Sequence, residues 1–289
     1  MKIRSMLESQ MMAAAVLVAG IALGFAPETA KAEANPPPLV VAMNSYSDLA
    51  DLADSAPLVL RAQVKKQARL EDARAPGLRP GWARLYIEAK TEALLSGNGA
   101  LGESLRYLVD VPLDSRGKPP ALKKKKVLLF ARSVPGRPGE LQLITPNAQL
   151  LWDAPAELRL RGILSELLAP GAPSRISGLR EAIYVPGTLA GEGETQLFLS
   201  TPDGAPASIT VSHRPGGVVS WGVSFSEVLD SAALPPRRES LAWYRLACFL
   251  PPQLPPRANV SETAADRVQA AADYQLVMRQ LGACGRTRN

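Results

Sequence analysis

Three successive runs between residues 58 and 111 alternate apolar and polar side chains with period two. In 58–70, Leu58, Leu60, Ala62 and Val64 alternate with Arg61, Gln63 and Lys65. In 82–94, Leu85, Ile87 and Ala89 alternate with Arg84, Tyr86, Glu88 and Lys90, and in 105–111 Tyr107, Val109 and Val111 stand opposite Arg106 and Asp110. This period puts one face in a core and the other in water, which only a β-strand does. Residues 127–131 form a continuous apolar run, as a central strand would, and 141–144 a short fifth strand. Pro76-Gly77, Gly97-Asn98-Gly99, Gly117-Lys118-Pro119 and Pro135-Gly136 break the chain between them. Five short strands so spaced point to a small barrel, closed or half-closed, of OB type.

A second unit is expected from 151 to 289. Asp153 caps a helix with Pro155 and Glu157 in its first turn and Leu160, Ile163, Leu164 and Leu167 as its apolar stripe. Strands over 179–185, 195–201, 206–213 and 218–225 follow, with turns at Pro202-Asp203-Gly204 and Arg214-Pro215-Gly216-Gly217. The run 241–250 reads as a strand, with a short helix as the alternative. Ser261 is expected to cap a last helix to Leu281, closed by Gly282, with Val268, Ala272 and Leu276 toward the core and Asp266, Gln269, Asp273 and Gln280 on the opposite arc. The fold class expected is α+β, mostly antiparallel: a five-stranded OB-like barrel over 45–150, introduced by a helix capped by Ser45, then an antiparallel sheet with flanking helices over 151–289.

The N-terminus reads as an export signal. Lys2 and Arg4 precede an uncharged apolar run from Met12 to Ala26, and Ala30-Lys31-Ala32 offers the small-x-small site of a signal peptidase. Cleavage is expected after Ala32, leaving a flexible lead-in over 33–44 that contains three consecutive prolines. The alternative is a retained anchor, but a spanning helix needs about 20 apolar residues and this run is shorter. No cysteine near the cut offers a lipid attachment point, so the chain is expected to be periplasmic or secreted without a retained span. In that oxidising setting the two cysteines, Cys248 and Cys284, are expected to bridge the end of the 241–250 run to the last turn of the final helix.

The pattern "SAPLVLRAQV … ARLYIEAKTEALLSG … LRYLVDVPLD … KKVLLFARS" resembles bacterial exported modules of the netrin or tissue-inhibitor-like OB class across 46–147. The cysteine framework of the animal members is absent, so inhibitor activity is not implied. The blocks "AGEGETQLFLST", "WGVSFSEV" and "LAWYRLACFLP" resemble exported alphaproteobacterial proteins of the sphingomonad kind. That resemblance implies a setting and no particular activity.

Chemistry-bearing sets are sparse. His213 is the only histidine, and a hydrolase triad would join it to Ser224 and to Glu192, Glu194 or Asp203. Ser224 lacks the second glycine of a nucleophile elbow, and His213, at a strand end beside a turn, reads as half-exposed. Glu192 and Glu194 flank Gly193; as a sugar-cleaving pair they would need a separation of about 5–9 Å, and their bland reading is a solvated hairpin entry. Lys123, Lys124, Lys125 and Lys126 form the densest basic run, either a solvated loop that keeps strand edges soluble or an anion-binding patch. Export and only 5% aromatic residues argue against a nucleic-acid partner. Two distant sulfurs and one histidine make no metal site, and no cofactor is expected. The function expected is a non-catalytic envelope module that binds a protein or an anionic component, favoured by the formal charge of +6. The alternative is an envelope-directed hydrolase.

Overall fold

Apolar alternation folds the first half of the chain into a curled sheet. The computed structural model describes residues 44–98, 102–226 and 234–288. The export segment 1–32, and all of the lead-in except Asn44, lie outside them. Helix α1 (Tyr46–Ser55) opens the described chain with the expected Ser45 cap, completed as a capping box by Asp48. Strands β1 (Leu58–Arg69), β2 (Trp82–Ser96), β3 (Ser104–Pro112), β4 (Lys126–Ser133) and β5 (Leu141–Leu143) pair antiparallel in the order β3-β2-β1-β4-β5. A sixth strand not anticipated from the sequence, β6 (Gln149–Leu151), pairs with β4. Three register shifts between β1 and β2 bend the sheet. Leu60, Ala62, Val64, Leu85, Ile87 and the whole of Val127–Ala131 are buried, as the pattern required.

The ladder is an open sheet, so of the closed or half-closed barrel expected, the closed form is absent. β5 has only three residues, and the one bridge toward β3 is parallel and isolated, from Arg106 to Glu140 just before β5.

Helix α2 (Ala154–Leu168) carries the predicted Asp153 cap and buries Leu160, Ile163 and Leu164. The second sheet follows: β7 (Gly178–Pro186), β8 (Gly193–Ser200), β9 (Ser208–His213) and β10 (Ser220–Ser224), paired antiparallel in the order β10-β9-β8-β7. The fold is therefore α+β with mostly antiparallel sheets.

Expectations for the last two helices are corrected. The 241–250 run is a helix, α3 (Leu241–Ala247), capped by Ser240. A continuous apolar run fits a buried strand or a buried helix equally well. Here helical winding lets the Trp243 indole donate to the Leu281 carbonyl, the Tyr244 hydroxyl to Asp51, and Arg245 make a bidentate pair with Asp54. Helix α4 (Ala264–Leu281) is capped by Thr263, not Ser261. Ser261 instead accepts the backbone N–H of Tyr184 and donates to Asn259. The face of α4 is also rotated from that expected. Ala270, Asp273, Tyr274, Val277 and Leu281 are buried, whereas Val268 is 70% exposed and Ala272 is exposed.

The disulfide Cys248–Cys284 is present. Its second cysteine lies beyond the end of α4, not in the helix's last turn. The bridge holds the C-terminal tail across α1, where Asp48 accepts the Thr287 hydroxyl and the Thr287 and Arg288 amides, and Asp51 pairs with Arg286. Burial alone would raise the Asp48 carboxyl, but these hydrogen bonds outweigh it and hold the group below its ordinary value. The described residues form one compact unit, with α1, α2 and α3 packed together. No helix among the described residues is long and apolar enough to cross a membrane.

Candidate functional site

His213 ends β9 on the face that carries Ala207, Ile209 and Val211, all buried. That face meets α4, so the imidazole turns inward, and its side chain is only 17% exposed. Nε2 lies 2.9 Å from both carboxylate oxygens of Asp273, itself 2% exposed. Thr195 donates its hydroxyl to the same carboxylate, and Gln269 its amide at 3.0 Å. Tyr184 stands edge-on to the imidazole with ring centroids 6.0 Å apart. Burial raises its hydroxyl pKa, and the negative charges of Asp273 and Asp266 push the same way. Gly193, opposite His213 in the ladder, leaves room for that ring, because a Cβ there would lie 2.1 Å from the Tyr184 hydroxyl. Further along α4, Gln280 accepts the Trp221 indole N–H at 2.6 Å. Gln269, Asp273 and Gln280, expected on the arc opposite the core, thus form a polar seam that fastens the helix to the sheet.

The register separates the proposed triad. Ser220 faces Ser212, beside His213, whereas Ser224 faces Ser208 four residues further on, about 13 Å along the strand. Asp203 lies in the β8–β9 turn at that same distant end, where it accepts from Ser174. Glu192 closes the 187–192 turn by accepting the Leu189 N–H. Glu194 alternates onto the other face of β8 from Thr195 and accepts from the Gln196 amide. The structure brings none of these together with His213 as a nucleophile–base–acid set.

The lysine run divides. Lys123, Lys124 and Lys125 are exposed on a turn that hydrogen-bonds to β1, where the Lys124 amide donates to the Val64 carbonyl and Lys125 accepts the Val64 N–H. Lys124 adopts φ +67°, unusual for a residue with a side chain. Lys126 instead lies over the Trp152 ring at 5.2 Å and near Glu92 at 3.5 Å.

A cleft of about 670 Å³ opens between β3 and the 134–146 segment. Two backbone hydrogen bonds tie its ends: Arg106 N–H to the Gly139 carbonyl at 2.8 Å, and Asp110 N–H to the Pro146 carbonyl at 2.7 Å. Between them the strands part over Leu108, which is 45% exposed. Tyr86, Leu143, Ile144 and Pro146 supply further apolar lining. At one end Arg84 grips Asp110 through two hydrogen bonds of 2.7 and 2.8 Å. At the other, Glu140 is shared by Arg137 at 3.3 Å and Arg106 at 3.9 Å. Concave, mostly apolar volume with a few fixed charges is the usual form of a ligand site.

The chain matches no protein-family model and no curated protein. Among the described residues, no cluster of three or more histidine, cysteine or acidic side chains is placed to hold a metal ion. The cleft signal was faintly present in the sequence as Leu108, an apolar residue on the polar face of β3. Only the pairing of β3 with 134–146 gives it a wall.

Proposed function

We propose that this chain is an exported, non-catalytic binding module of the cell envelope and that the cleft over Leu108 captures its partner, an envelope protein or an anionic envelope component. The observation that carries this reading is the parting of β3 from β5, which leaves a large apolar side chain open between two tied ends. Export is supported by the Lys2/Arg4–apolar–Ala30-Lys31-Ala32 order and by the Cys248–Cys284 bridge. We further read the first sheet as an OB-type barrel left open at one seam. The order β3-β2-β1-β4-β5 and the parallel Arg106–Glu140 bridge support that reading.

A photo-crosslinking residue at Leu108 tests the proposal in the native host, with Val218, 92% exposed in a distant turn, as control. A discrete adduct at Leu108 and none at Val218 is expected, from envelope material whose N-terminus is Glu33. No adduct, or equal adducts at both sites, would overturn the binding site. An unprocessed cytosolic chain with both thiols reactive would overturn export.

A further inference from the structure

Resting on the reading of the cleft as a binding site, we infer that its ligand is a compact amphiphile: an apolar body with one anionic head, a carboxylate or a phosphate monoester. The charges that line the cleft argue for this. Asp110 cancels Arg84 in a bidentate pair, and both side chains are largely buried at 10% and 17% exposure. That end offers no free charge. At the other end Glu140 faces two guanidiniums, Arg106 and Arg137, exposed to 49% and 69%. Neither makes a bidentate pair with it, so one positive charge is left uncompensated. Guanidinium forks match carboxylate and phosphate oxygens in shape and charge. A neutral ligand would leave that charge unanswered, and a polyanion would find no second one within the cleft.

The space between the ends is apolar. Leu108 and Tyr86 lie on the outer face of β3 and β2, directly paired across the ladder, with Leu143, Ile144 and Pro146 opposite. Covering Leu108 and its neighbours removes apolar surface from water, worth roughly 25 cal/mol per Å². The two backbone ties also limit length. They are four residues apart on β3, about 13 Å, so an added peptide strand cannot run through the gap, whereas a chain of medium length fits within it.

Calorimetric titration of the full processed chain with decanoate, decyl phosphate and decanol tests this inference. One or both anions are expected to bind one to one, at least about tenfold more tightly than decanol; which anion binds more tightly identifies the head. Leu108→Glu, which places an acid on the apolar floor, is expected to abolish binding. The double variant Arg106→Gln/Arg137→Gln is expected to keep the fold and erase the preference for the anion over the alcohol. Absence of saturable binding by either anion, equal affinity for decanol, or undiminished binding by Leu108→Glu would overturn it. An envelope adduct at Leu108 together with silent titrations overturns the ligand class alone and leaves the module reading intact. Loss of both overturns the reading beneath it.

Discussion

The two sheets meet their surroundings in opposite ways. The β1–β6 sheet curls over an apolar interior in which Leu60, Leu85, Ile87, Leu128, Leu129 and Phe130 are wholly or almost wholly buried. The β7–β10 sheet meets α4 through apolar contacts and a row of hydrogen bonds, from His213 and Thr195 to Asp273 and from Trp221 to Gln280. The difference explains where chemistry is and is not available. The only histidine and its buried acid are occupied in holding a helix, while the open, charged and concave surface belongs to the sheet whose inner face is apolar.

The largest expected effect probes the first sheet. Phe130→Ala should destabilise by about 3–5 kcal/mol, read from the denaturant midpoint at unchanged slope. A cost under about 1 kcal/mol would mean that this core is loosely packed. Asp273→Ala breaks the polar seam and should cost about 2–3 kcal/mol, because Thr195 and His213 lose a buried acceptor together. If His213→Gln/Asp273→Ala costs no more than Asp273→Ala alone, the two residues act as one unit; full additivity would break the seam account.

Acid sharpens the contrast at α1. The Asp48 carboxyl is held low in the folded chain, so its contribution is complete above the ordinary carboxylate range and is lost as pH falls through the lowered value. Stability measured by denaturant between pH 7 and pH 2 should therefore fall below about pH 4. Asp48→Asn should flatten that fall while lowering stability at neutral pH. An unchanged acid profile would mean that the C-terminal tail does not hold Asp48 in solution. The smallest effect is expected at Val268, where replacement by Ser should stay within about 0.5 kcal/mol because the side chain lies in water.

Val268 also marks where sequence reading ran out. Strand periodicity exposed the first sheet almost residue by residue, since apolar burial repeats every second position and Gly and Pro mark the turns. Helix α4 misled because it carries two apolar stripes, Val268, Ala272 and Leu276 on one arc and Ala270, Tyr274, Val277 and Leu281 on another, and the partner sheet, which presents hydrogen-bond donors, takes the second together with Asp273. Such a choice depends on the facing surface, which local pattern does not contain. The run 241–250, apolar but for Arg245, failed for a different reason: it has no period to read. For the site, His213 drew attention by residue type alone. The cleft depends on a long-range approach of β3 to residues 134–146, with only Leu108 to signal it.

The most direct test compares the two regions in one experiment: partner crosslinking from the cleft, read in His213→Gln and in Arg106→Glu/Arg137→Glu. The adduct at Leu108 should persist within about twofold in the first variant and disappear in the second, with both proteins folded. Its disappearance on changing His213 would contradict the assignment of function to the first sheet, and its survival when both arginines are reversed would contradict their part in holding the partner.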